Sequence, residues 1–339
     1  MENEVDSMTT VSRSVEYGLR MIGVWPGTSC AILLKVLSIS SMIVFQVFQY
    51  QHVIVNFGEE DLTILMDALS VTFAYTLLLI KMLIFSFNAR LLNEIMRCMI
   101  KDWKECDISG EYTMTRTAHV SRWVSNVIIF SHMTSVFLYA IGTLMKIKTE
   151  NQTDNRELII KMEIPFEIQS TPVHVAVLVT QFIHQTCAAG MVGVLNSLLI
   201  ILVLHVCGQI DIVRQKLSEI TQKTMERKNV GQNVNESIMK MLIVRHQEII
   251  GFSKNIEALY SNIALIQFVS NTLMIGDSAY ESLWYELNPT EKKDIHIVIV
   301  RSQKHLTLTI GKVLELSLKQ FANIVKASAS YVSVLHAMY

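Results

Sequence analysis

The stretch VHVAVLVTQFIHQTCAAGMVGVLNSLLIILVLHVC (Val173–Cys207) decides the fold class of this chain. It runs for 35 residues without one Asp, Glu, Lys or Arg. As an α-helix it would be roughly 50 Å long, whereas the hydrocarbon core of a bilayer is about 30 Å thick. We therefore predict a membrane-spanning helix that tilts or projects beyond the bilayer.

The composition of the whole chain also indicates a membrane protein. Of its 339 residues, 51% are hydrophobic and 17% are charged, whereas soluble domains average about 25% charged residues. The net charge of −1 excludes a basic nucleic-acid-binding surface, so we expect no nucleic-acid partner. The five cysteines are odd in number and scattered without a C-x-x-C pair, which argues against a disulfide framework and a zinc site.

Four apolar stretches predict an all-α, polytopic transmembrane helix bundle in contact with membrane lipid. The predicted spans are residues 30–50, 62–87, 123–145 and 173–207, and together they form a predicted bundle over residues 30–207. The polar residues 1–29 contain no early apolar segment of the kind found in signal peptides. We therefore expect the first span to act as its own targeting signal.

The placement of Lys and Arg predicts a cytoplasmic N-terminus. One set of alternate segments comprises residues 1–29, 88–122 and 208–257, and the other comprises residues 51–61 and 146–172. The first set carries 16 Lys and Arg residues and the second carries 4. Basic loops are retained in the cytoplasm. The N-glycosylation sequon at Asn151 then lies outside, where it can be modified.

The rest of the chain is predicted to be a helical cytoplasmic region followed by one more span. Residues 208–305 are charged and helix-prone. Within them, residues 258–275 form an apolar run that is too polar for a confident crossing, so we interpret it as a partial span. Residues 306–339 are apolar with thinly spaced charges, a pattern typical of a final helix beside protein or water. The prediction is about five full spans plus one partial span.

Short motifs in a fixed order near the C-terminus resemble the C-terminal signature of insect odorant receptors. They are Ala279-Tyr280, Trp284-Tyr285, Arg301-Ser302-Gln303-Lys304, Leu306-Thr307-Leu308-Thr309, Gly311-Lys312, Leu316-Ser317-Leu318 with Phe321, and Lys326-Ala327-Ser328 with Tyr331. The resemblance implies an odorant-tuned subunit of a ligand-gated cation channel that acts in smell. It also implies a volatile odorant as ligand, and a hetero-tetramer with the shared co-receptor subunit. The plasma membrane of a sensory neuron dendrite is the implied location.

The chain departs from this family in its number of spans, because odorant receptors have seven. Residues 262–268 resemble the start of the fifth span, and at Gly276 the sequence continues with residues expected after the sixth. Most of the fifth span and the whole sixth span would then be missing at Ile275–Gly276. We expect such a loss to make the polypeptide weakly functional or silent as a channel subunit.

The resemblance also implies where a ligand and an ion pathway would lie. The family binds apolar molecules in the outer half of the bundle, and the residues that match this place are Phe73, Met133, Phe137, Tyr139, Gln181 and Phe182. The positions that match the pore constriction are Val334, Ala337 and Met338, which share one helix face. A hydrophobic constriction of this kind can gate by dewetting. Ordinary helix packing is the alternative interpretation for all nine residues.

Other classes of membrane protein remain as alternatives. Gustatory receptors end with a Thr-Tyr pair and a Gln-Phe pair, and only Gln320-Phe321 is present here. A transporter would carry inverted repeats, and none is visible. The sequence has no H-E-x-x-H, G-x-S-x-G or P-loop motif. We therefore expect neither an enzyme nor a bound cofactor. His184 and Cys187 share a helix face, but two ligands do not make a metal site.

Overall fold

The computed structural model describes residues 10–57, 62–150, 158–166, 170–226, 232–281, 309–310 and 314–315. Within them the chain forms seven helices and two short strands. The helices are α1 (Arg13–Met21), α2 (Ala31–Val55), α3 (Leu62–Phe87), α4 (Ala89–Lys104), α5 (Ile108–Glu150), α6 (Thr171–Glu226) and α7 (Gln232–Glu281). The architecture is a polytopic helix bundle, as the sequence predicts.

Four of these helices are long and apolar enough to cross a membrane, within the described residues. Their candidate segments are Ala31–Val55, Asp67–Phe87, Ile108–Thr143 and Thr171–Glu219. They overlap the four spans predicted from hydropathy. The helices extend beyond the predicted limits, because a helix can continue into water once its apolar segment has left the bilayer.

The longest described helix, α6, is much longer than the predicted span 173–207. It continues to Glu226 and has 56 residues, which corresponds to about 84 Å. Helix α7 has 50 residues and includes the predicted partial span 258–275. It passes Ile275–Gly276 without a break, so the helix is continuous at the place where the sequence departs from the family pattern.

Helix α1 is a short amphipathic helix that packs directly on α6. The hydroxyl of Ser12 accepts a hydrogen bond from the backbone N–H of Val15 and so caps the first turn. Val15 and Leu19 share one face and are fully buried. Gly18 lies so close to Val194 that an added Cβ would collide with the Val194 side chain. This glycine therefore allows the close approach of α1 to α6.

Helices α5 and α6 form the most extensive pairing among the described elements. A Cβ placed on Gly193 of α6 would lie 3.0 Å from the Cα of Ile129 on α5. Small residues at a crossing of membrane helices let the two backbones approach closely. Gly193 serves that purpose here.

The bundle buries polar side chains together with its apolar core, and it also exposes many large apolar side chains. Ile32 is 80% exposed and Phe130 is 72% exposed. The buried polar side chains of the spans include Gln46, Gln49, Thr72, Gln181, Gln185, Ser197 and His205. This pattern fits a bilayer, because exposed apolar side chains meet lipid while polar groups find partners between helices.

The chain divides into two compact units, residues 1–266 and 267–339. In the second unit, β1 (Thr309–Ile310) pairs antiparallel with β2 (Leu314–Glu315). The sequence predicts a helix over 306–339, and these four residues differ from that prediction. Thr309 and Ile310 are β-branched and precede a glycine, a combination that favours a strand followed by a turn. The remainder of 306–339 lies outside the described residues.

Candidate functional site

Residues 158–166 form a strap that packs against one end of the bundle. Ile159 and Ile160 of the strap are 4% and 2% exposed. The side-chain amide of Gln181 on α6 holds the strap by two hydrogen bonds. Its Nε2 donates to the carbonyl oxygen of Ile160 at 3.0 Å, and its Oε1 accepts from the N–H of Ile160 at 3.2 Å. The backbone groups of a buried loop residue are thereby satisfied by one side chain.

A second contact joins the strap to α2. The backbone N–H of Glu163 donates to the carbonyl oxygen of Phe48 at 3.0 Å. The Glu163 carboxylate also lies 3.8 Å from Nδ1 of His52. The strap is therefore attached both to α2 and to α6. We call this end of the bundle the strap end.

Beneath the strap, an aromatic stack links α2, α3 and α6. The rings of Phe45 and His184 lie parallel with their centroids 3.5 Å apart. The Tyr75 ring stacks on His184 at 5.7 Å, and the Tyr75 hydroxyl lies 3.5 Å from Nδ1 of His184. His184 therefore acts as a packing and hydrogen-bonding residue between membrane helices.

A hydrogen-bonded pair between α2 and α3 lies beside this stack. Nε2 of Gln46 donates to the carbonyl oxygen of Thr72 at 3.0 Å and to Oγ1 of Thr76 at 2.6 Å. The hydroxyl of Tyr50 is 2.9 Å from the same Oγ1. Two further buried amides, Gln49 of α2 and Gln185 of α6, lie within one turn of the stack along their helices. The strap end therefore combines aromatic rings with side-chain amides, residue types that also occur in small-molecule sites.

The six residues predicted to bind a ligand fall into two groups in the structure. Phe137 and Phe182 meet edge to face, with ring centroids 6.4 Å apart. Met133 lies beside Gly190, with its sulfur 3.7 Å from the place of an added Cβ. These residues line the α5–α6 contact. The other three are Phe73, exposed on α3, Tyr139, exposed on α5, and Gln181, which holds the strap.

The remaining predicted site residues lie outside the described residues. They are the pore positions Val334, Ala337 and Met338 and the glycosylation site Asn151. Their assignments stay predictions.

A polar network joins the N-terminal segment to the opposite end of the bundle. Oγ1 of Thr10 lies 3.1 Å from Nδ1 of His205 and accepts a hydrogen bond from Nε1 of Trp103. Nε2 of His205 is 2.9 Å from a carboxylate oxygen of Asp102. His205 lies 24 residues beyond Gln181 on α6, or about 36 Å along the helix axis. The strap and this network are thus separated by more than a bilayer core.

Helix α7 is tied to this network by Arg245. The guanidinium lies 2.7 Å from Asp102, donates to Gln209 at 2.7 Å and donates to Glu248 at 2.9 Å. Glu248 also accepts from Nζ of Lys101 at 2.9 Å. Hydrogen bonds from Lys101 and Arg245 hold the pKa of the Glu248 carboxyl below its ordinary value. These residues line a cavity of about 220 Å³, and the network connects α4, α6 and α7.

Sequence reasoning missed both the amide-lined interior and the Asp102–Arg245 network. A signal for the first was present, since Gln46 and Gln49 are three residues apart in an otherwise apolar span and so share a helix face. The ion pair joins residues far apart in the chain, and no local pattern marks such a contact.

Comparison with known proteins identifies the family. A family model described as 7tm Odorant receptor matches residues 61–278 and 272–329, so the match is in two segments that meet close to Ile275–Gly276. Odorant receptor 10 of Aedes albopictus is 29% identical over 103 residues, covering 29% of this chain and 28% of that protein. Odorant receptor 30a of Drosophila melanogaster is 28% identical over 86 residues, covering 24% and 23%. These matches span about a quarter of each curated relative.

The fold has a counterpart among solved structures. The insect olfactory receptor OR5 from Machilis hrabei superimposes with a TM-score of 0.57 and 14% identity, covering 95% of this chain and 96% of that chain. Its complex with eugenol superimposes with a TM-score of 0.58 and 13% identity, covering 96% and 97%. Each of these relatives is an odorant or olfactory receptor, and none is an enzyme. Because the family model covers most of its length, this chain belongs to the 7tm odorant receptor family.

Proposed function

We propose that this chain is the odorant-tuned subunit of a ligand-gated cation channel in the plasma membrane of a sensory neuron. The observation that carries the proposal is the family match over residues 61–278 and 272–329. The length of this match favours an odorant receptor over a gustatory-type subunit more strongly than any single motif does. The distribution of Lys and Arg supports a cytoplasmic N-terminus, which puts the strap end outside the cell.

The ligand is a small volatile molecule that binds at the strap end. Aromatic side chains from three helices supply apolar contact area there, and the Phe45–His184 stack joins α2 to α6. Phe137, Phe182 and Met133 provide a further apolar wall at the α5–α6 contact. A ligand that contacts this region more favourably in the open channel than in the closed one shifts the population toward the open state.

The chain pairs with the odorant receptor co-receptor in a hetero-tetramer, and its own gating is weak. The family match breaks close to Ile275–Gly276, where the sequence passes from residues like the fifth span to residues like those after the sixth. Loss of those spans removes one side of the binding region and part of the subunit contact. The pore residues Val334, Ala337 and Met338 would form the outer constriction.

Co-expression with the co-receptor in oocytes tests this function. We expect an odour-evoked current above that of the co-receptor alone and well below that of a full-length receptor. Odorant binding by the purified chain is measured in parallel. Absence of both binding and current would refute the receptor assignment, whereas a current equal to that of a full-length receptor would refute the weak gating. Ala337→Glu should change ion selectivity if this residue lines the pore.

A further inference from the structure

A groove on the surface of the bundle runs between α2 and α3, in the half of these helices nearer the strap. Its volume is about 450 Å³, which is within the range of small-molecule sites. Its walls include Ile43, Val47 and Ile54, large apolar side chains that are all exposed on α2. Such side chains on a membrane helix face lipid, so the groove opens toward the hydrocarbon of the bilayer. The groove is lined by Ile43, Gln46, Val47, Tyr50, Gln51, Ile54, Val55 and Leu79.

Tyr50 contributes a hydrogen-bond acceptor to the groove. Oγ1 of Thr76 on α3 donates its hydrogen to the carbonyl oxygen of Thr72 at 2.8 Å. The same Oγ1 lies 2.9 Å from the hydroxyl of Tyr50. Because the hydrogen of Thr76 is already used, Tyr50 is the donor in that contact. The Tyr50 oxygen therefore keeps its lone pairs and can accept a further hydrogen bond.

Gln46 contributes a second acceptor to the same groove. Its Nε2 donates to the carbonyl oxygen of Thr72, and a carbonyl oxygen can only accept, so the orientation of the amide is settled. The other amide atom, Oε1, is an acceptor that is buried and has no partner among the described residues. The bilayer core offers no water to satisfy it. The remaining polar residue of the lining, Gln51, is exposed.

Beyond these two acceptors, on the side away from the strap, the groove is apolar. Ile43 lies one turn from Gln46 along α2, and Leu79 lies one turn from Thr76 along α3. β-branched side chains such as Ile43 and Val47 keep one preferred χ1 rotamer in a helix, so this wall has a fixed shape. A rigid ligand loses less conformational freedom on such a wall than a flexible acyl chain does.

We propose that this groove binds a membrane sterol, whose hydroxyl lies at Gln46 and Tyr50 and whose rings lie along Ile43, Val47 and Leu79. A sterol hydroxyl supplies the donor that the two acceptors lack, and its rigid apolar body suits the stiff wall. The acyl tail of a phospholipid has no donor and leaves both acceptors unsatisfied. Tyr50 is five residues from the end of α2, or about 8 Å along the axis. The hydroxyl therefore lies nearer the membrane surface than the rings do, as it does for a sterol in a bilayer.

Photolabelling of the purified full chain in phosphatidylcholine nanodiscs tests this site. The probe is cholesterol with a diazirine on its ring system, and the labelled residues are located by mass spectrometry. Unlabelled cholesterol, its methyl ether and cholestane compete with the probe at equal mole fractions in the membrane. The ether keeps the rings and the oxygen but cannot donate a hydrogen bond. We expect cholesterol to reduce labelling of the groove about tenfold more effectively than the ether or cholestane, as one net hydrogen bond provides.

Two variants and one matched control locate the effect. Val47→Trp should reduce labelling of the groove about tenfold, because the indole occupies the space of the sterol rings. Val44→Trp is the control, since Val44 and Val47 are 51% and 54% exposed on the same helix and Val44 is not part of the lining. The double variant Gln46→Leu with Tyr50→Phe should lose the tenfold preference for cholesterol over its ether, because it removes both acceptors and leaves the apolar walls in place.

The outcomes also separate this inference from the proposed function. If the ether or cholestane competes as well as cholesterol, the hydroxyl is not recognised, an acyl chain fills the groove equally well, and the inference is wrong. Equal labelling of the two Trp variants, or label confined to other helices, would also overturn it, because the sterol would then lie elsewhere. Odorant binding is measured on the same nanodiscs, and its absence with intact sterol labelling would count against the proposed function alone.

Discussion

Gln181→Met is the substitution that most directly tests how the strap is held. The methionine side chain has a length similar to that of glutamine and is apolar. It therefore fills the same space and removes both hydrogen bonds to Ile160. Gln181 is 1% exposed and Ile160 is 2% exposed, and water does not replace the lost partners while the strap is closed. The N–H and carbonyl groups of Ile160 then become buried and unsatisfied.

The magnitude follows from those two groups. Each buried backbone group that loses its partner costs about 1–3 kcal/mol, so the closed strap is destabilised by about 2–4 kcal/mol after partial relaxation. Opening of the strap still exposes Ile159 and Ile160, and that apolar burial keeps it mostly closed. The equilibrium between open and closed strap should shift toward the open form by about 30-fold to about 700-fold.

Hydrogen exchange measures this shift. The amide of Ile160 should exchange faster in Gln181→Met by that factor, because exchange through local opening reports the opening free energy. Amides in the middle of α6 should keep their wild-type rates. Thr180→Val is the matched control, since Thr180 is exposed and its described hydrogen bond is to the carbonyl oxygen of Ala176 in its own helix. Unchanged protection of Ile160 in Gln181→Met would refute the reasoning that this amide holds the strap.

Four further outcomes are expected elsewhere in the chain. Gly193→Ala should lower the free energy of unfolding by about 1–3 kcal/mol in detergent, because its added Cβ would press on the backbone of α5. Gly142→Ala is the control, since a Cβ there meets nothing within 4 Å and should have no such effect. Equal effects of the two substitutions would contradict the close crossing of α5 and α6. Lys81→Met should raise the midpoint of thermal unfolding, because a buried ammonium is costly without a counter-charge. Lys81 is 3% exposed and its described partner is the neutral amide of Asn196. A lower midpoint in the variant would mean that the charge of Lys81 is compensated. The pKa of Glu248 is lowered, so its ion pairs stabilise the fold at pH values above the ordinary carboxyl pKa and are lost as the pH falls through the lowered pKa. Glu248→Gln should therefore flatten the loss of thermal stability in acid. An unchanged dependence of the thermal midpoint on pH would count against this. Asn151→Gln should abolish a glycosidase-sensitive shift on gels, and a wild-type chain without that shift would argue against an extracellular strap end.

The network at the end opposite the strap shows how distant parts of the chain are connected. Asp102 on α4 contacts both His205 of α6 and Arg245 of α7. Removing one partner of such a partly buried charge cluster leaves the other charges uncompensated, which is more costly than the pair is stabilising. The network therefore attaches α7 to α4 and α6.

Much of the architecture is visible in local sequence. The spans follow from runs such as 173–207, because a stretch of apolar residues long enough to cross a bilayer must form a helix there to satisfy its own backbone groups. The ends of the helices were less predictable. Helix α6 continues to Glu226, since charged residues after the apolar run are good helix formers and nothing in the sequence stops the helix.

The candidate site was only partly predictable. The sequence placed Phe137 and Phe182 in the same region, and the structure brings their rings together. It placed Gln181 there as well, but a polar residue in a span can face a ligand, another helix or a loop. Only the folded chain puts Ile160 against it.

Local sequence alone thus determined that the chain is a bundle of apolar helices and which segments are apolar enough to cross the membrane, because hydrophobicity and helical hydrogen bonding act over neighbouring residues. The tertiary structure decided which polar side chains are satisfied and which are not. Gln46 bonds to Thr72 and Gln181 bonds to Ile160, whereas two atoms of Gln49 have no partner among the described residues. That difference depends on contacts between segments far apart in the chain, and no periodicity within a single helix encodes it.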